Sequence, residues 1–318
     1  MQRKYLFWTK VLSCLLLGLT ISSYLIPAAD RGEEWIPILS GFFDMSIMGE
    51  SMWTMALLGG LFNVLIVVSL AVINAKSVNN VFNPHLTTSF FLLLILLDPQ
   101  SVWFSCLHPA VLLFVWGQFC FIINQKFTSM FLLSCSALFY APLIWTLPLV
   151  WAISIIGTAD IFRVAVKSFG GMLLPPLYLL CFRFMMFGDA GVFIDEYISR
   201  AVEVSSPMAS VEFTSIFLVI CISAIMLHAV SYIFSTMFRN NIVTGHILKM
   251  ELMCLVLGVL VFVLFFGNGN IPVNMIVALP MAMIFSYFFT ANINAASARI
   301  ELILLCCAAV LHRLSYFM

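Results

Sequence analysis

The sequence predicts an all-α protein, a polytopic bundle of transmembrane helices with about eleven spans (ten to twelve) and a cytoplasmic N-terminus. Three observations predict it. Of 318 residues, 63% are hydrophobic and only 9% charged, whereas globular chains are roughly half apolar and about a quarter charged. The apolar residues fall in runs near the ~20 residues that cross a bilayer. The basic residues also segregate when the runs are threaded alternately through a membrane. This composition excludes a soluble enzyme, a nucleic-acid binder and a disordered chain.

The runs that qualify as spans are 7–26, 53–73, 102–123, 169–187, 213–238, 250–266, 271–291 and 300–316. A shorter run, 85–97, is closed by Asp98-Pro99. The stretch 127–156 is too long for one helix, and Pro142 and Pro148 interrupt it. It reads as two short or tilted helices, 127–140 and 142–157, because proline lacks a backbone donor and suits a helix's first turn. The Arg3, Lys4 and Lys10 charges ahead of the first run resemble a signal peptide. With so many spans behind it, that run is expected to stay as an uncleaved first helix.

With the N-terminus inside, Arg3, Lys4, Lys10, Lys76, Lys126, Arg163, Lys167, Arg239, Lys249 and Arg299 fall on the cytoplasmic side. Only Arg31, Arg183, Arg200 and Arg313 fall outside. That bias is what short cytoplasmic loops show. Most carboxylates then lie outside, with Asp160, Glu251 and Glu301 inside. The whole chain, 1–318, reads as one integral membrane domain. Two outer loops, 28–52 and 188–210, are long enough to carry structure, and the second suits a short amphipathic helix. The nine cysteines sit in apolar stretches without a CxxC spacing. Neither a zinc site nor a disulfide framework is expected, and no other metal or cofactor is implied. No Gly-rich phosphate loop is present, so no nucleotide partner and no ATP-driven pump follow from this chain. The expected partners are membrane lipids.

Asn79-Asn80-Val81-Phe82-Asn83-Pro84, the 127–156 stretch, Arg163 and Gly170-Gly171-Met172-Leu173-Leu174-Pro175-Pro176 together resemble an uncharacterised family of multi-spanning inner-membrane proteins from Bacteroidota. Pro280 and the 292–301 stretch are similar too. Some members of that family carry a carotenoid-oxygenase label. That chemistry needs several histidines around iron, and the five here are scattered. The paired short helices at 127–157 and the acidic loop after the first helix also resemble the C-type glycosyltransferases and polysaccharide polymerases. That resemblance implies a catalytic carboxylate in the first outer loop, although the outer soluble domain many of those proteins carry is missing.

Glu34 and Asp44, with Glu33 and Glu50 nearby, are the candidate catalytic carboxylates. Sugar transfer from a lipid-phosphate donor needs one such base within reach of a hydroxyl proton. The alternative is a solvated acidic loop. Arg183, Asp98 and His108 are the candidate substrate-binding residues. A charge inside a span is a site candidate by default, and a guanidinium fork suits a lipid phosphate. Arg183 is equally read as snorkelling or pairing with a nearby acid. Asp98 and His108 read either as an acid–base cluster at the outer rim or, for Asp98 with Ser101, as caps of the next helix. His228 is expected to be buried and hydrogen-bonded. Glu251 and Glu301 are expected at helix starts, where the macrodipole favours acids. Asn63, Asn74 and Asn274 are expected to bridge helices.

The function expected from these features is that of a glycosyltransferase-C-like enzyme or accessory acting on lipid-linked glycans at the outer face. The alternatives are a non-catalytic scaffold of a cell-envelope assembly and a transporter or flippase.

Overall fold

The computed structural model describes residues 2–26, 52–76, 82–155, 160–202, 213–237, 242–265, 274–292 and 294–317. Among them are twelve α-helices, two 3-10 turns and no strand. We number the helices α1 (Gln2–Leu25), α2 (Met52–Lys76), α3 (Pro84–Ile95), α4 (Leu107–Ile122), α5 (Lys126–Phe139), α6 (Thr146–Ile155), α7 (Ile161–Met186), α8 (Ala190–Val202), α9 (Phe213–Met237), α10 (Ile242–Phe265), α11 (Asn274–Asn292) and α12 (Ala296–Ser315). The 3-10 turns are Pro99–Val102 and Ala141–Trp145. Five helices, α2, α7, α9, α10 and α11, are long and apolar enough to cross a membrane.

The outer surface of the bundle is greasy. Leu57, Leu61, Val64 and Val68 form an exposed stripe along α2, and Phe162, Phe184 and Phe213 are more than two-thirds exposed. Apolar surface on that scale is unsuited to water and fits contact with lipid. The centre is α11, buried from Met275 to Phe289 with Tyr287 the sole exception. It packs along α3, where Phe90 meets Phe285 and Phe289 at centroid distances of 5.7 and 5.2 Å. Around this pair stand α1, α2, α4, α9 and α10, and α12 packs on α9 and α1. A second group, α5, α6, α7 and α8, attaches through the α4–α5 contact.

In lipid, burying apolar side chains does little to drive helices together; close packing and hydrogen bonds between helices do more. The α4–α5 pair uses both. Ser129 and Ser136 donate to the Gly117 and Ala110 carbonyls at 2.8 and 2.7 Å, and Gly117 leaves room for Leu133. Pro175 and Pro176 lie inside α7. Because Pro176 has no N–H, the Met172 carbonyl one turn earlier loses its helical donor. Ser134 of α5 supplies the replacement at 2.7 Å. Gly171 lets the helices touch, since a Cβ there would lie 2.4 Å from the Phe127 carbonyl.

Contacts fix which helix ends lie together. Ser23 of α1, the Leu96 carbonyl after α3 and Arg313 of α12 meet at one end, with Met55 of α2 and Asn274 of α11 beside the same segment. Toward the other end, Glu301 of α12 meets His228 of α9, and Ser286 of α11 meets the Asn83 carbonyl before α3. Helices α3 and α4 thus run in opposite directions, and α4 runs alongside α2 in the same direction, Trp116 meeting Ser69.

Several boundaries differ from the sequence reading. Residues 102–106 are not in a helix, because Asp98-Pro99 starts a 3-10 turn and α4 begins only at Leu107. Helix α7 begins at Ile161, so Arg163 and Lys167 are helical instead of lying in a loop. Helix α10 begins at Ile242, which carries Lys249 and Glu251 well into it. The expected restart at Ala141-Pro142 is present as the second 3-10 turn. The amphipathic helix expected in 188–210 is α8.

Candidate functional site at a buried helix break

The polar interior gathers where α3 stops and α4 has not begun. Pro99 cannot continue α3, and Asp98 instead caps the 3-10 turn, its Oδ1 accepting from Gln100 N at 2.9 Å. Ser101 returns N–H and hydroxyl bonds to the Asp98 carbonyl. Non-helical backbone at this depth is tolerated only when protein satisfies it, and nearly every neighbour contributes. Phe104 N donates to the Met55 carbonyl at 3.1 Å. Asn63 Nδ2 donates to the Ser101 carbonyl at 3.0 Å. Asn274 Nδ2 reaches the Leu94 and Ile95 carbonyls at 3.2 and 3.4 Å. Gly59 makes the approach of α2 possible: a Cβ there would stand 2.2 Å from the Val102 carbonyl oxygen.

His108 is fully buried in this break. The Ser105 N–H donates to its Nδ1 at 3.1 Å, so Nδ1 is the acceptor and Nε2 carries the proton, donated to the Ser101 carbonyl at 3.1 Å. Phe62 and Phe104 flank the ring. The bonds specify a neutral imidazole in one tautomer, a positioning element more than a free base.

The charge at the break is Arg313, which is 5% exposed. Its Nη2 donates to Ser23 Oγ at 2.8 Å and to the Leu96 carbonyl, capping the end of α3. Its Nε and Nη1 are buried without a hydrogen-bond partner. Tyr316 lies beside the guanidinium at 5.9 Å, and the Asp98 carboxylate is within electrostatic reach. The sequence counted Arg313 only among the outer charges. Its position thirteen residues after Ile300, on a helix face with Leu302, Leu305 and Ala309, is the signal that could have marked it as buried.

Arg183 lies elsewhere. It closes α7, where Gly188 adopts φ +68° and turns the chain into α8. The guanidinium pairs with Asp189 at 2.5 Å and lies 5.2 and 5.4 Å from the Phe187 and Phe193 ring centroids. The pairing expected from sequence is what forms, and Asp98, which belongs to the α1–α2–α12 neighbourhood, is not brought to it. Asp98 and His108 are brought together through Ser101, which accepts from His108 by its carbonyl and donates to the Asp98 carbonyl. Glu34 and Asp44, with Glu33 and Glu50, lie outside the described residues.

Two acids depart from the sequence reading. Glu251 is the tenth residue of α10, beyond reach of the first-turn dipole, and is wholly buried with neither oxygen hydrogen-bonded. Glu301 bonds His228 Nδ1 at 2.6 Å across α12 and α9. His228 has its expected hydrogen bond, but its side chain is 46% exposed on the bundle surface, not buried. Asn63 and Asn274 do bridge helices as expected. Among the described residues, no group of three or more His, Cys, Asp or Glu side chains could hold a metal ion. Comparison with known proteins gives no match: no family model, no curated protein and no solved structure aligns with the chain.

Proposed function

We propose that the chain is a multi-pass protein of the bacterial inner membrane that engages a phosphate-bearing lipid, the carrier of a lipid-linked glycan, at its outer face, as a glycosyltransferase-C-like enzyme or accessory. The chain makes eleven passes from a cytoplasmic N-terminus, and α8 lies along the outer surface. Supporting this threading, paired helix ends alternate between the two ends of the bundle, and α8 packs across the end of α5 and the Ala141–Trp145 turn, Tyr197 donating to the Ala137 carbonyl and Trp145 to the Ala201 carbonyl.

The observation that carries the reading is Arg313. A guanidinium with two donor groups unengaged, in a low-dielectric interior beside a helix break, is suited to an anionic oxygen that the protein itself does not supply. Arg183 is already committed to Asp189 and two rings. The ends of α1 and α2 both touch the break, through Tyr24 on Trp103 and Met55 on Phe104. The connecting chain, which bears Glu34 and Asp44, therefore joins two helix ends that both rest on the break. In this reading one of those carboxylates serves as the base that takes a hydroxyl proton.

The experiment is binding of a polyprenyl phosphate to the purified full chain by native mass spectrometry. Arg313→Gln is expected to lose binding at least tenfold, whereas Arg183→Gln keeps it. Equal binding by a folded Arg313→Gln protein would refute the reading. Glu34→Gln and Asp44→Asn are expected to bind normally, and the variant that removes the base is expected to lose the surface glycan product in cells.

A further inference from the structure

Helix α10 carries a carboxylic acid in an unusual setting. Glu251 is wholly buried, and neither carboxyl oxygen has a hydrogen-bond partner. It lies inside 247–264, the stretch of α10 apolar enough to cross a membrane. Cys254, one turn on and on the same helix face, is within electrostatic reach. Cys254 and Gln118 of α4 are the polar residues of a cleft otherwise lined by apolar side chains of α4, α5, α6 and α10, including Phe114, Leu133, Val150 and Leu257.

Among the described side chains, the elements around Glu251 offer no compensating charge. Helix α11 has Tyr287 as its single titratable residue, and the Ala141–Trp145 turn has none. The α9 imidazole, His228, is engaged by Glu301. On α5, Lys126 sits over the Phe121 ring at 3.4 Å; on α10 itself, Lys249 is exposed. Among the described residues, no ion pair includes Glu251. An ionised carboxylate here would surrender its hydration and receive nothing in return, whereas the neutral acid keeps a single O–H donor to place.

We propose that Glu251 is a proton-binding site within the bilayer, a carboxylic acid that takes and releases its proton through the apolar cleft between α4, α5, α6 and α10. The site is separate from Arg313 and does not depend on the lipid-phosphate reading. Its ligand is a proton and not a metal ion, because Gln118 is the sole neighbouring oxygen donor in the cleft and a hard cation needs several.

The test is covalent labelling of the purified full chain with N,N′-dicyclohexylcarbodiimide, an apolar reagent that reacts with protonated acids. The acid's proton moves to a carbodiimide nitrogen as the carboxyl oxygen adds to the central carbon. The O-acylisourea then rearranges to an N-acylurea, so the peptide gains the reagent's whole mass and no group departs. Peptide mapping is expected to find the adduct on Glu251, with labelling falling more than fivefold between acidic and alkaline medium. A water-soluble carbodiimide is expected to leave Glu251 unmodified. Glu251→Gln, which keeps the shape of the neutral acid, is expected to fold normally and to lose the adduct. Absence of the adduct from wild-type Glu251 at every pH from about 5 to about 9, or equal labelling by the water-soluble reagent, would overturn the proposal. The wild-type map decides the matter even if the variant misfolds.

Discussion

Replacing Gly59 by alanine tests whether the helix break is docked on α2 as described. In an isolated helix the change is favourable by about 0.5–1 kcal/mol, because alanine loses less backbone entropy. Here the new Cβ would lie 2.2 Å from the Val102 carbonyl oxygen, 2.8 Å from Phe104 N and 3.0 Å from the Trp103 carbonyl carbon. All three are backbone atoms, so no side-chain rotation relieves the overlap. Restoring van der Waals separation requires the break to retreat by more than an ångström. At that displacement the Phe104 N–H bond to the Met55 carbonyl and the Asn63 bond to the Ser101 carbonyl, now 3.1 and 3.0 Å, are lost or badly stretched. Overpacking costs about 1–3 kcal/mol and each of the two hydrogen bonds about 0.5–1.5 kcal/mol, so a net loss of about 1–5 kcal/mol is expected after the helical gain of about 0.5–1 kcal/mol. Gly18 of α1 is the control: nothing lies within 4 Å of its built Cβ, and Gly18→Ala should be neutral or stabilising. The assay is thermal unfolding in detergent followed by a thiol-reactive dye, reading buried Cys106, Cys120 and Cys254. A Gly59→Ala protein that melts at or above the wild-type temperature would show that the break does not rest against α2.

Ser134→Ala should cost about 1 kcal/mol in the same assay, because it orphans the Met172 carbonyl that Pro176 has freed; the effect should vanish in a Pro176→Ala background, where the helical donor returns. Asp189→Asn should destabilise more than Glu196→Gln, since Arg183 is nearly buried while both members of the Glu196–Arg200 pair are only half-buried and such a surface pair is worth about 0–1 kcal/mol; equal effects would mean Arg183 gains nothing from its partner. Burial of helix α8 against α5 pushes the Tyr197 phenol up from its ordinary value near 10. A raised acid stabilises the fold below the unfolded value and loses that contribution as pH climbs past it, so wild type should weaken above about pH 10. Tyr197→Phe should be less stable at neutral pH, having lost its bond to the Ala137 carbonyl, and should show a flatter alkaline profile.

The sequence reading was strongest where composition alone decides. Long apolar runs marked α2, α7, α9, α10 and α11, and the Ala141-Pro142 restart followed from proline's missing donor. It was weakest where helices begin, since a charge inside a helix reads like a loop. Lys249, read as the end of a loop, made α10 look shorter than it is, and that displaced the buried Glu251 to a helix start. The Arg183 pairing was legible because Asp189 is six residues away. Arg313 was not, because its partners Ser23 and Leu96 lie 290 and 217 residues distant, and no local pattern encodes so remote a meeting. His108 was nominated for the right neighbourhood, but its tautomer depends on backbone groups that only the broken helix presents.

The clasp between Arg313 and Ser23 joins segments 290 residues apart. A ribosome releases α1 and α3 well before α12 exists, so over that interval the Leu96 carbonyl lacks its guanidinium. A nascent chain halted before α12 would hold an open seam between α1 and α3, a lesion that quality control could detect. Closure of this part of the interior therefore waits on the synthesis of α12.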